Sequence, residues 1–154
     1  MSPVVPALPA QALLAVTLLG AALLGCSRGE PVQVDHDARR AELREGLKTS
    51  LGASYDAPVE GLAAADVEQG KSVYQRSCSG CHGEKADGKG HRAAAIDPPP
   101  ANLVDGRGRD FYSDAGQLHL IREGVTMTAM PPFGRSLKDE DIVAAYAYVV
   151  SLRQ

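Results

Sequence analysis

Cys78-Ser79-Gly80-Cys81-His82 sets two thiols three positions apart, with an imidazole directly after the second. Two sulfurs at that spacing can add to the vinyl groups of one porphyrin, and the adjacent imidazole then reaches the iron from below. The geometry demands that the three residues follow one another closely. C-x-x-C-H is therefore read as a covalent attachment site for one haem c, with Cys78 and Cys81 as anchors and His82 as the proximal iron ligand.

Two other chemistries use similar residues. A structural zinc needs four ligands, yet the only other cysteine is Cys26, far upstream, and the neighbours Cys81 and His82 are poorly placed to share one ion. A thioredoxin-like pair needs C-x-x-C at the start of a helix that follows a strand. No β-branched run precedes Cys78, so that pattern is missing.

The 154 residues allow one domain with appendages, and the chain has no tryptophan and only two phenylalanines with which to build a core. A bound haem would add a broad apolar surface to it. The formal net charge of −3 excludes the basic character of a nucleic-acid binder.

Residues Met1 to Gly25 contain no charged side chain, and Ala12 to Leu24 form an apolar run ending at Gly25-Cys26. The run is shorter than the roughly 20 apolar residues of a membrane span, and it suits the core of a secretory signal. Met1 to Gln11 departs from the usual signal in having no lysine or arginine. Leu23-Leu24-Gly25-Cys26 resembles the lipobox of bacterial lipoproteins, which implies cleavage before Cys26 and lipidation of its thiol. Several acyl chains, at about 0.8 kcal/mol per buried methylene, would hold the protein on a membrane almost permanently.

Three sections follow: residues 1–25 as signal, 26–65 as tether and 66–154 as haem domain. Within the tether, Leu43, Leu47 and Leu51 recur every fourth residue among Glu42, Arg44, Glu45 and Lys48, which predicts a short surface helix over 35–51 closed by Gly52. A sharper reading makes it a docking helix for a partner subunit.

Asp66-x-x-Gln69 opens the next helix as a capping pair, and Val67, Gly70, Val73 and Tyr74 lie on one side of it. Glycine inside a helix costs about 1 kcal/mol relative to alanine, so Gly70 predicts a close approach by another backbone. After His82, the glycines of residues 83–90 suit a loop around a cofactor edge, and Asp97-Pro98-Pro99-Pro100 is stiff and extended. Asp114 with Gln117 repeats the capping pattern before a helix that Gly124 ends. That helix leads into Met127-Thr128-Ala129-Met130-Pro131-Pro132, a rigid loop that presents thioethers. The last helix, Asp139 to Leu152, places Ile142, Ala145, Tyr146 and Val149 on one face and, at roughly 15 residues, spans on the order of 22 Å.

From Asp66 to Leu152 this order of parts resembles class I cytochrome c: helix with glycine and aromatic, C-x-x-C-H, glycine loop, proline segment, Met-Pro, aromatic-bearing final helix. The resemblance implies an all-α fold of three to four helices around one covalent haem, the N- and C-terminal helices crossing at Gly70 and Tyr74 against Tyr148. Helical periodicity alone centres the last helix on Tyr146, two residues away. The resemblance further implies Met130, followed by Pro131, as distal ligand ahead of Met127, His91 and His119, with the Pro100 carbonyl as the acceptor that orients His82. Lys138 departs from the family's usual Ser or Thr before the last helix, and Ser136 is expected to cap in its place.

Two protein ligands would leave the iron no open position, so the implied function is one-electron transfer rather than catalysis, in an exported respiratory chain on the periplasmic side of a bacterial membrane. The partners would be redox proteins acting as donor and acceptor. The alternatives are a fixed haem subunit of a membrane oxidoreductase complex, or a sensor or enzyme if Met130 is labile. Neither paired carboxylates nor a nucleophile-and-base motif points to independent catalysis. The lipid on Cys26 is compatible with either the inner or the outer membrane.

Overall fold

The computed structural model describes residues 36–105 and 110–153, and the expected signal and Cys26 lie outside them. Among the described residues there are helices and turns but no strand, as the all-α expectation requires. The helices are α1 (His36–Leu51), α2 (Val67–Ser77), the single turn α3 (Ser79–His82), α4 (Asp114–Glu123) and α5 (Asp139–Ser151).

The centre of the fold is the crossing of α2 and α5. Gly70 makes it possible, because a Cβ there would collide with the carbonyl of Ala144. The missing side chain lets the two backbones touch, which offsets the helix cost of glycine. Asp66 starts α2 as read, its carboxylate accepting from the amides of Glu68 and Gln69 at 3.0 Å each. The Gln69 side chain does not reach back to complete the capping pair; it donates across the crossing to Asp141 at 2.6 Å.

Both tyrosines of α5 serve the core, each in its own cluster. Tyr146 packs with Leu118, Ile142 and Val143, whereas Tyr148 flanks the cluster of Tyr74, Ala86 and Val149. Tyr146 is the more buried, and Tyr148 makes the ring contact with Tyr74 across the crossing, at 5.4 Å and 55°. A closely packed helix buries a face wide enough for both, so periodicity and the family pattern each identified one half of it.

Two capping expectations are corrected. Ser113, rather than Asp114, caps α4, its hydroxyl accepting from the Gly116 amide at 3.1 Å. Asp114 is thereby free to accept from the Tyr146 hydroxyl at 2.6 Å. The residue before α5 is Lys138, with no side-chain cap, and the Ser136 hydroxyl donates to the Phe133 carbonyl instead. Asp139, Glu140 and Asp141 fill the first turn of α5 and offset the positive end of the helix dipole.

Residues 36–65, the described part of the 26–65 segment, pack against the haem domain. One compact unit runs from Asp35 to Gln154, so no structural boundary falls at 65/66. Leu47 and Tyr55 are buried, and both approach Gly116 on α4. Arg40 and Arg44 lie over the Phe111 ring at 4.5 and 4.7 Å. The leucine stripe was legible in sequence, but its cover was not, because α4 lies far along the chain. No helix among the described residues is long and apolar enough to cross a membrane.

Candidate haem site

Cys78 ends α2 and begins α3, so the motif is held in one tight turn. The amide of His82 donates to the Cys78 carbonyl at 2.9 Å, and that of Gly83 to Ser79 at 2.8 Å. Gly83, at φ +82°, then turns the chain away in a conformation that glycine adopts without strain. The following loop folds back on the motif: Gly88 donates to His82, Gly90 to Cys81 and Arg92 to Gly80, at 2.8, 3.1 and 2.9 Å. Gly90 lies so close that a Cβ would strike the carbonyls of Gly80 and Cys81. The Tyr74 hydroxyl, its pKa raised mainly by burial, stays protonated and donates to the Gly83 carbonyl at 2.8 Å.

His82 Nδ1 lies 3.0 Å from the carbonyl oxygen of Ala101. A carbonyl can only accept, so the proton sits on Nδ1 and Nε2 carries the lone pair. Burial lowers the imidazole pKa, opposed by the bond to Ala101, so the ring is neutral at pH 7. A neutral ring with Nε2 unprotonated is what an iron ligand needs. The acceptor is Ala101 and not Pro100, one residue earlier. Along an extended strand-like segment successive carbonyls point in alternate directions, and that of Pro100 faces Gly88, 2.7 Å from where a Cβ would stand.

Cys78 and Cys81 are free thiols, both half-buried. Burial, then Cys81, pushes the Cys78 pKa up to about 11, opposite to the depressed value of a redox-active C-x-x-C. No group of three or more His, Cys, Asp or Glu side chains among the described residues could hold a metal ion, so those residues offer no fourfold set for a structural zinc. Two free thiols and a neutral, oriented imidazole in one turn fit the attachment of a haem.

Met130 lies on the loop after α4, whose ends are closed by a bond from the Val125 amide to the Met130 carbonyl at 3.1 Å. Thr128 bridges the interior, its hydroxyl donating to the Val125 carbonyl at 2.8 Å and accepting from the Met130 amide at 3.1 Å. Gly124, at φ +74°, sits against this closure. Met130 is half-buried, whereas Met127 at the tip is 82 % exposed. His91 is exposed on the loop after the motif, and His119 is half-buried on α4.

The family model described as "Cytochrome C oxidase, cbb3-type, subunit III" matches residues 65–149, more than half of the chain. The chain belongs to this family of c-type cytochromes. A relative from Azospirillum brasilense, described as "Cbb3-type cytochrome c oxidase subunit CcoP", is 34 % identical over 89 residues, which cover 58 % of this chain and 29 % of that one. The chain therefore spans under a third of that relative's length. A chain of the Kuenenia stuttgartiensis reducing HAO-like protein complex superposes with a TM-score of 0.48 at 24 % identity, covering 64 % of this chain and 46 % of that one. Membership of the family implies a covalently bound haem c, and the family match begins after α1, which the structure nevertheless joins to the haem domain.

Proposed function

We propose that the chain is a one-electron carrier with a single haem c, joined through Cys78 and Cys81 and ligated by His82 and Met130, exported and held by a lipid on Cys26 at the periplasmic side of a bacterial membrane. The observation that carries this reading is the Cys78–His82 turn, in which the Ala101 carbonyl leaves Nε2 of a neutral imidazole ready to ligate. When bound, the haem supplies reversible one-electron chemistry, with a methionine ligand favouring the ferrous state relative to a second histidine. The chain's own part is positional. Ala101 orients His82, the glycine loop closes over the motif, and the self-bonded loop around Thr128 presents Met130 with little freedom to rearrange between oxidation states.

A second reading makes the protein a fixed haem subunit of a membrane respiratory complex, and the similarity to a cbb3-type oxidase subunit supports it. Release with detergent separates the two: a carrier purifies alone, a subunit with stoichiometric partners. The primary test is optical, on protein expressed with haem-maturation machinery. The expected result is haem that survives acid-acetone extraction and, in the ferric state, a weak far-red band from methionine ligation. Met130→Ala should abolish that band and leave the haem attached; persistence of the band would transfer the ligand role to Met127. Haem lost on extraction would overturn the attachment reading.

A further inference from the structure

The tip of the methionine loop is held from outside. Thr126 and Met127 stand at that tip, and Met127 adopts φ +59°, a left-handed conformation uncommon for a residue with a side chain. Such a conformation persists where its surroundings over-determine it. Inside the loop, the Val125–Met130 closure and the Thr128 bridge bind the two ends. At the tip, one guanidinium nitrogen of Arg39 lies 2.9 Å from the Thr126 carbonyl and 3.5 Å from that of Met127. Arg39 is on α1, which docks on α4 through Leu47 and on Phe111 through Arg40 and Arg44. A fixed helix thus extends a cation onto two consecutive carbonyls of the loop, and hydrogen bonds to a charged donor are the stronger kind.

We propose that Arg39 is a positioning residue for Met130: by bracing the loop tip against α1, it sets how readily the methionine gives up the iron to an exogenous ligand. The inference rests on the assignment of Met130 as distal ligand made above. It extends the haem site to a residue that precedes the matched family region. A loop without its outer brace opens more often, and an incoming ligand competes better in proportion to the open fraction.

The experiment is a titration of the ferric holoprotein with imidazole, followed by loss of the methionine band, in wild type, Arg39→Ala, Arg40→Ala, Met130→Ala and the Arg39→Ala/Met130→Ala double variant. Arg39→Ala should raise the imidazole affinity about tenfold, the ratio expected for one charge-assisted hydrogen bond. Arg40→Ala, which removes the cation over Phe111 and keeps the Arg39 bonds to the loop tip, should change it less than twofold. Met130→Ala, followed by its Soret shift, should bind imidazole most tightly, and adding Arg39→Ala to it should change nothing. The proposal is overturned if Arg39→Ala matches wild type, if Arg40→Ala has an equal effect, or if the Arg39 effect persists without Met130. Wild type binding imidazole as tightly as Met130→Ala would instead overturn the ligand assignment itself.

Discussion

The two segments proposed to supply the iron ligands are held in different ways. On the histidine side, residues 78–103 make a ladder of backbone bonds within one continuous segment, from His82 to Cys78, Gly90 to Cys81, Gly88 to His82 and Leu103 to Ala86. On the methionine side, a short loop is closed by two backbone bonds, Val125 to Met130 and Thr128 to Val125, and by the Thr128 hydroxyl, and its tip is braced by Arg39, 87 positions away in sequence from Thr126. One side is written locally and the other depends on the whole fold. Under the proposed ligation such a division would suit the chemistry, since His82 would have to be in place for haem capture before Met130 binds.

The contrast is broken most severely on the local side. In Gly90→Ala the new methyl would meet the backbone of Gly80 and Cys81, which cannot rotate aside. The expected loss is about 3 kcal/mol, the upper end for overpacking, read as a lower denaturant midpoint of the holoprotein. An unchanged midpoint would mean that the loop can lift from the motif freely.

On the methionine side Thr128→Val removes both bonds of the bridging hydroxyl and strands the amide of Met130. The expected cost is about 1–2 kcal/mol, with haem attachment intact and imidazole affinity raised. If stability falls while imidazole affinity does not, the threonine holds the fold but not the ligand.

The smallest effect belongs to the pair that ties the end of α4, just before the methionine loop, to the start of α5. Arg122 donates to both oxygens of the exposed Asp139, at 2.6 and 3.0 Å. These bonds hold the carboxyl pKa below its ordinary 3.8. A lowered carboxyl pKa stabilises the fold above that ordinary value and is lost as pH falls through the folded one. Asp139→Asn should therefore cost under about 1 kcal/mol at pH 7, as solvent screens an exposed pair, and should flatten the stability curve below pH ~4. Equal acid sensitivity in the two proteins would assign that slope to other carboxylates.

What depends on neighbours along the chain was legible from residue type and spacing alone. The C-x-x-C-H turn, the Asp66 cap, the glycine at the helix crossing and the end of α4 at Gly124 all follow from residue type and short spacing, and the structure has them there. Ala101 in place of Pro100 was beyond it, because which of two adjacent carbonyls faces an imidazole depends on how an extended segment is rotated, and proline constrains φ but not that rotation. With Ser113 rather than Asp114 as the cap, the aspartate is left to Tyr146, a distant hydroxyl that short spacing does not reveal. The leucine stripe of α1 was legible but not the surface it docks on, and the reach of Arg39 left no sequence signal, since an arginine on a charged helix reads as a solvated face until the fold brings two carbonyls beneath it. Spacing encodes contacts within a turn or two; only tertiary structure decides which distant group meets them.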